Sequence, residues 1–142
     1  MISFDQYEWA LERYGEMLDY WKEAEQNRQA DRLVLEAARE ALVRRFEYLV
    51  ESAWKTCKRL LIETEGYSGE IGPKTLFRLA GGLGMLDAET WITFWDAHLG
   101  TSHDYSEEKS GALLHHAEAL EKQASLLLDA MRLKLAAGAG DG

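Results

Sequence analysis

The stretch ADRLVLEAAREALVRRFEYLVESAWKTCKRLLIETEG, residues 30–66, meets no helix breaker before its last position. Turned at ~100° per residue, Leu35, Leu42, Phe46, Leu49, Val50, Ala53, Cys57, Leu60 and Leu61 gather on one side, which predicts one amphipathic helix from near Gln29 or Ala30 to about Glu65. Gly66 ends it. Upstream, Phe4, Tyr7, Leu11, Tyr14, Leu18 and Trp21 share a helical face and predict a first helix. Downstream, residues 67–72 form a turn-rich loop. Pro73 then suits the first position of a short helix over Lys74 to about Ala80, stopped by the glycines at 81, 82 and 84. Asp87 is placed to cap a helix carrying Trp91, Phe94, Trp95 and Leu99, which Gly100 is expected to weaken or kink. Ser106, Glu107 and Glu108 read as another start, and Leu113, Ala117, Leu120, Ala124, Leu127, Met131 and Leu135 predict one last helix reaching at least Leu133. No stretch alternates with period two for long enough to be a strand. The expected fold is all-α, an up-and-down bundle of about four helices with one extra short helix. It forms one domain over 1–135, and the tail 136–142 is expected to fray.

Size and composition agree with that reading. The 142 residues are 46% hydrophobic and 29% charged, with one proline, one cysteine and five tryptophans, which excludes collagen-like, disordered and disulfide-stapled chains. No apolar run approaches the ~18 residues that cross a bilayer, and Met1-Ile2-Ser3-Phe4-Asp5 lacks the regions of a signal peptide. A cytoplasmic protein without a membrane partner is expected. The lone Cys57 fits a reducing compartment and cannot build a zinc cluster.

Charge is both large and uneven. Sixteen basic against 25 acidic side chains leave a net charge of −9, which opposes non-specific attraction to RNA or DNA phosphates. Over residues 87–110, Asp87, Glu89, Asp96, Asp104, Glu107 and Glu108 face only Lys109, whereas over 33–65 acids and bases balance. The basic residues concentrate in the middle.

Several residues invite a site. His98 and His103 with Asp96 and Asp104 offer metal-ligand atoms, but helical metal pairs sit at i, i+3 or i+4, so the spacing argues against a metal. His115 and His116 fit surface and boundary positions of the last helix. His98 shares the face of Trp91, Phe94 and Trp95, as a core histidine bonded to backbone or carboxylate would. His103 lies in a polar stretch between helices, where a near-neutral imidazole can act as general acid or base. Gly81-Gly82-Leu83-Gly84 lacks the preceding strand and the following Lys-Ser/Thr of a phosphate loop, so it reads as a helix stop. Arg44, Lys55, Lys58 and Arg59 project opposite the apolar side of their helix, either as a solvated face or as a strip that meets an acidic partner or RNA. Trp9 and Tyr20 fall opposite the core stripe of the first helix, and exposed aromatics of this kind point to a dimer or partner surface, against partial burial by neighbouring helices.

Arg45-Phe46-Glu47-Tyr48, then Glu51-Ser52-Ala53-Trp54-Lys55-Thr56 and Lys58, resembles the second-helix signature of the nucleotidyltransferase substrate-binding proteins. These belong to the minimal HEPN group (higher eukaryote and prokaryote nucleotide-binding). The resemblance continues through Gly72-Pro73-Lys74, Gly84-Met85-Leu86 with Trp91, and Thr101-Ser102-His103-Asp104-Tyr105, covering roughly residues 40–131. It implies a helical bundle, usually a homodimer, paired with a small nucleotidyltransferase. In many such pairs the helical protein is a toxin-like ribonuclease, restrained when the transferase adds AMP to a tyrosine. The family motif is Arg-Asn, three residues, His, one residue, Tyr. His103 and Tyr105 match its last two members, while His98 and Leu99 stand at the arginine and asparagine positions.

That departure has a chemical consequence. Cleavage by a ribose 2′-hydroxyl needs a proton acceptor and a cation near the phosphorane, and arginine's fixed charge and forked donors supply the second. A histidine imitates this only when protonated, with fewer donors and a shorter reach. One such electrostatic group is worth ~10²–10³ in rate, so ribonuclease activity is expected to be weak or absent. The expected role is therefore a docking partner of a nucleotidyltransferase, with Tyr105 as the nucleotidylation candidate and Trp9, Tyr20, Arg44, Lys55 and Arg59 as partner-binding residues. Two alternatives stand beside it: a metal-independent endoribonuclease using His103 and His98 at a homodimer interface, and a nucleotide-binding helical module. No cofactor is called for.

Overall fold

Asp31 accepts a hydrogen bond from the Leu33 N–H at 2.9 Å, pairing one of the donors that a helix start leaves open. The helix it begins organises everything else. A computed structural model describes residues 2–102 and 107–140, and gives six helices among them. These are α1 (Asp5–Gln26), α2 (Arg32–Glu65), α3 (Pro73–Gly82), α4 (Ala88–Ser102), α5 (Glu107–Leu114) and α6 (Ala117–Gly140).

Along α2, Leu42, Phe46, Leu49, Val50, Ala53, Cys57, Leu60 and Leu61 are fully buried, and α1, α3, α4, α5 and α6 all pack against the helix. Truncating a leucine at such depth typically costs ~2–5 kcal/mol. Gly66 closes α2 in the left-handed region at φ 73°, where a side chain would be strained. Burial pushes the Cys57 thiol up to about 12, so it stays protonated and offers no nucleophile.

On the other side of the core, α1 and α6 run antiparallel and are pinned twice. The buried Tyr7 hydroxyl donates to the Ala124 carbonyl at 2.6 Å, and that of Tyr14 to the Ala117 carbonyl at 2.7 Å. Burial drives both phenols above their ordinary ionisation range.

Pro73 sits at the start of α3, and the Asp87 carboxylate accepts from the Thr90 N–H at 3.3 Å and from its hydroxyl, capping α4. Two features depart from the sequence reading. α4 continues through Gly100 to Ser102 because its last turn is fastened to α2: Thr101 Oγ1 lies 3.0 Å from the His98 carbonyl and 3.3 Å from Glu47 Oε1. The expected single last helix is instead α5 and α6, separated at His115-His116, where the His116 N–H turns back to the Leu113 carbonyl at 2.9 Å. The all-α class stands, with six helices among the described residues in place of about four and one extra. α6 extends past Leu135 to Gly140. None of the helices is long and apolar enough to cross a membrane, among the described residues.

The joint between α5 and α6 is sensitive to protons. The His116 ring meets Phe94 edge-on at 6.1 Å between centroids, with His115 at 5.6 Å. Burial first, and His115 second, hold the His116 pKa below the ordinary imidazole value. The unfolded chain therefore takes up this proton more readily than the folded one. This contribution to stability is complete above the unfolded value of ~6.5 and is lost as pH falls below it. Urea melts at pH 7.5 and 5.5 are expected to show a smaller pH difference in His116→Gln than in the wild type; equal differences would refute the assignment.

Candidate functional site

His98 projects from α4 three and seven residues beyond Trp95 and Trp91, on the side that faces α2. It is 2% exposed. Its Nδ1 lies 2.8 Å from the Trp95 carbonyl and its Nε2 3.2 Å from Glu51 Oε1, while the ring packs 4.4 Å from the Trp95 ring. Both oxygens are acceptors, so the pair is fully satisfied when the ring carries a proton on each nitrogen. Neither nitrogen is left over for a ligand.

Glu51 and Glu47 stand one turn apart on α2 and meet His98 and Thr101 respectively. They form a two-point clasp on the end of α4. Trp54 adds an apolar brace, its ring edge-on to Trp95 at 5.5 Å, and Trp95 also meets Phe77 of α3 at 6.3 Å. Arg45, on the far flank of α2, donates to the Arg13 carbonyl at 2.7 Å and ties α1 to the same helix. The α2 signature thus divides into core (Phe46, Ala53), clasp (Glu47, Glu51) and ties to neighbours (Arg45, Trp54). Of the other motif positions, Leu99 is exposed, and His103 and Tyr105 lie outside the described residues.

Of the residues expected to bind a partner, four come together. A cleft of about 460 Å³ runs along α2 past Tyr48, Glu51, Trp54, Lys55, Lys58 and Arg59. A second hollow of about 300 Å³ holds Trp9, Arg13, Arg44, Arg45 and Tyr48, so Tyr48 forms a wall of both. Tyr20 does not join them. It lines a separate hollow with Glu23, Asn27, Asp31 and Val34, three helical turns or ~16 Å along α1 from Trp9. Both aromatics are half exposed, Trp9 at 52% and Tyr20 at 51%.

Glu47, Glu51, Arg13 and Tyr48 were not singled out as site residues from the sequence. Signals existed for two of the contacts: Glu47 and Glu51 share a face at i, i+4, and Arg13 follows Trp9 by four residues, the spacing that puts its guanidinium 4.9 Å over the indole. Nothing local could have paired Glu51 with His98.

The family described as nucleotidyltransferase substrate binding protein like matches residues 3–132. The chain belongs to this family. A Haemophilus influenzae protein, whose structure was described as revealing the fold of a substrate binding domain of a nucleotidyltransferase, superposes with a TM-score of 0.81 at 21% identity, covering 92% of this chain and 99% of its own. A Thermus thermophilus protein superposes with a TM-score of 0.64 at 27% identity, covering 84% and 98%. No curated protein matches the sequence significantly. The family member described here thus shares its helical fold over nearly the whole length of both solved relatives.

The clasp makes a direct prediction. Glu51→Leu removes the acceptor of a buried ring N–H and is expected to lower stability by ~1–3 kcal/mol, whereas Glu51→Gln retains an oxygen there and should cost less. Thermal melts of the two variants check it; equal losses would mean that the hydrogen bond to His98 is not what holds the end of α4.

Proposed function

We propose that this protein is the HEPN-like helical partner of a small nucleotidyltransferase in a two-component, toxin–antitoxin-like pair, and that its own ribonuclease activity is weak or lost. One observation carries the second half: the imidazole at the motif's arginine position is sealed at 2% exposure with both nitrogens engaged by Trp95 and Glu51. A cationic catalyst must reach a phosphate oxygen with a free donor, and one such group is worth ~10²–10³ in rate. His98 has no donor to give, and the Glu51 carboxylate beside it offsets whatever charge the ring holds. The family assignment and the fold shared with a nucleotidyltransferase's substrate binding domain support the first half. The protein works as a homodimer that docks the transferase and presents Tyr105 to it.

Purified protein incubated with RNA between pH 5.5 and 8 is expected to leave the RNA intact. Robust cleavage that disappears in His103→Ala would overturn this reading in favour of an endoribonuclease. Separately, reaction with the cognate transferase and ATP is expected to add one AMP to the wild-type chain and none to Tyr105→Phe, by intact-mass spectrometry. Label that survives the substitution would move the modification elsewhere.

A further inference from the structure

The two adjoining hollows along α1 and α2 are lined by Arg13, Arg44, Arg45, Lys55, Lys58 and Arg59, with Glu51 as their one carboxylate. Against a net charge of −9 for the whole chain, these hollows hold six cations and one carboxylate, and of the six Lys58 is paired with Glu70 at 3.9 Å. Lys55 and Arg59 are exposed and form no ion pair with any described residue. Among these cations stand Trp9, 52% exposed, and Tyr48, 39% exposed, edge-to-face at 5.9 Å. Tyr48 is fixed from the other side, its hydroxyl accepting from Gln6 Nε2 at 2.8 Å. Preset aromatic and arginine side chains form the centres that carry most of the energy of protein interfaces, because little rotamer freedom is lost when they are covered.

We propose that this face, centred on Trp9 and Tyr48 and flanked by Arg13, Lys55 and Arg59, docks an acidic surface of the nucleotidyltransferase. The inference rests on the pairing proposed above and adds where the transferase binds and with what chemistry. A second copy of the chain is the wrong occupant. A twofold interface centred on this patch would set it against itself, cation against cation. A homodimer centred on another face leaves this one open. Single-stranded RNA is also disfavoured, since it binds by stacking bases on open ring faces. Here the Arg13 guanidinium covers Trp9 at 4.9 Å and the Lys58 ammonium covers Trp54 at 4.8 Å, and Trp9 and Tyr48 meet at an interplanar angle of 84°, which makes no platform.

The test uses this protein and its purified cognate nucleotidyltransferase, with affinity measured by calorimetry from 50 to 300 mM NaCl. Wild-type binding is expected to weaken as salt rises. Lys55→Glu with Arg59→Glu should weaken it at least ~10-fold, and Trp9→Ala by about 10-fold or more. Lys55→Gln with Arg59→Gln is expected to fall between, and Arg78→Glu on α3, away from the face, should leave affinity unchanged. Circular dichroism confirms that each variant is folded. Wild-type binding that every one of these variants retains in full would overturn the face while leaving the pairing intact. No wild-type binding at any salt would overturn the pairing, and the face with it. A 20-nucleotide oligouridine that binds more tightly than the transferase, and is lost in the Lys55/Arg59 charge reversal, would reassign the face to nucleic acid.

Discussion

Everything in this molecule answers to the need of α2 to keep one side dry from Ala38 to Leu61. A single helix cannot do so alone, and the stable solution surrounds it with other helices. Each of those helices meets the same apolar stripe, so the fold has one core whose geometry α2 sets. Conformational entropy opposes ordering so long a segment, and burial along its whole length is what offsets it.

At the margins of that stripe the side chains turn polar, and there the bundle acquires its specific joints. Glu47 and Glu51 reach towards α4, and Arg45 reaches towards α1. A buried polar group left without a partner is expensive, so each joint fixes where a neighbouring helix can sit. His98 shows the cost of this arrangement for chemistry. A buried ring held between the Trp95 carbonyl and the Glu51 carboxylate serves the architecture, since both of its nitrogens are taken up in joining α4 to α2.

Much of this was legible in the sequence because helical periodicity reports burial directly. The stripe of α2, the face of α1, the Pro73 start and the Asp87 cap all follow from local rules. The core placement of His98, bonded to backbone and carboxylate, also followed from its position after Trp91, Phe94 and Trp95. The break between α5 and α6 did not. Leu113, Ala117 and Leu120 keep their spacing across it because both helices pack on the same core, and neither His115 nor His116 is a breaker. Gly100 misled in the opposite sense: its low helix propensity is local, while the clasp from α2 that keeps the turn helical is tertiary. The acidic residues that make the clasp come from a helix some 50 residues earlier, a distance over which no pattern in one sequence speaks. The same holds for the basic face, where Trp9 and Arg13 of α1 join Tyr48 and Lys55 of α2 only after the two helices meet.

The paired phenols of α1 have an implication for how this chain can vary. Tyr7 and Tyr14 are separated by seven residues, as are their acceptors Ala124 and Ala117 on the antiparallel strut opposite. The two bonds therefore work as a vernier. Adding or deleting one amino acid between the acceptors rotates one of them out of reach while the other stays engaged. Past Ala124 the same register is kept by burial, since Leu127, Leu128 and Met131 all belong to the core.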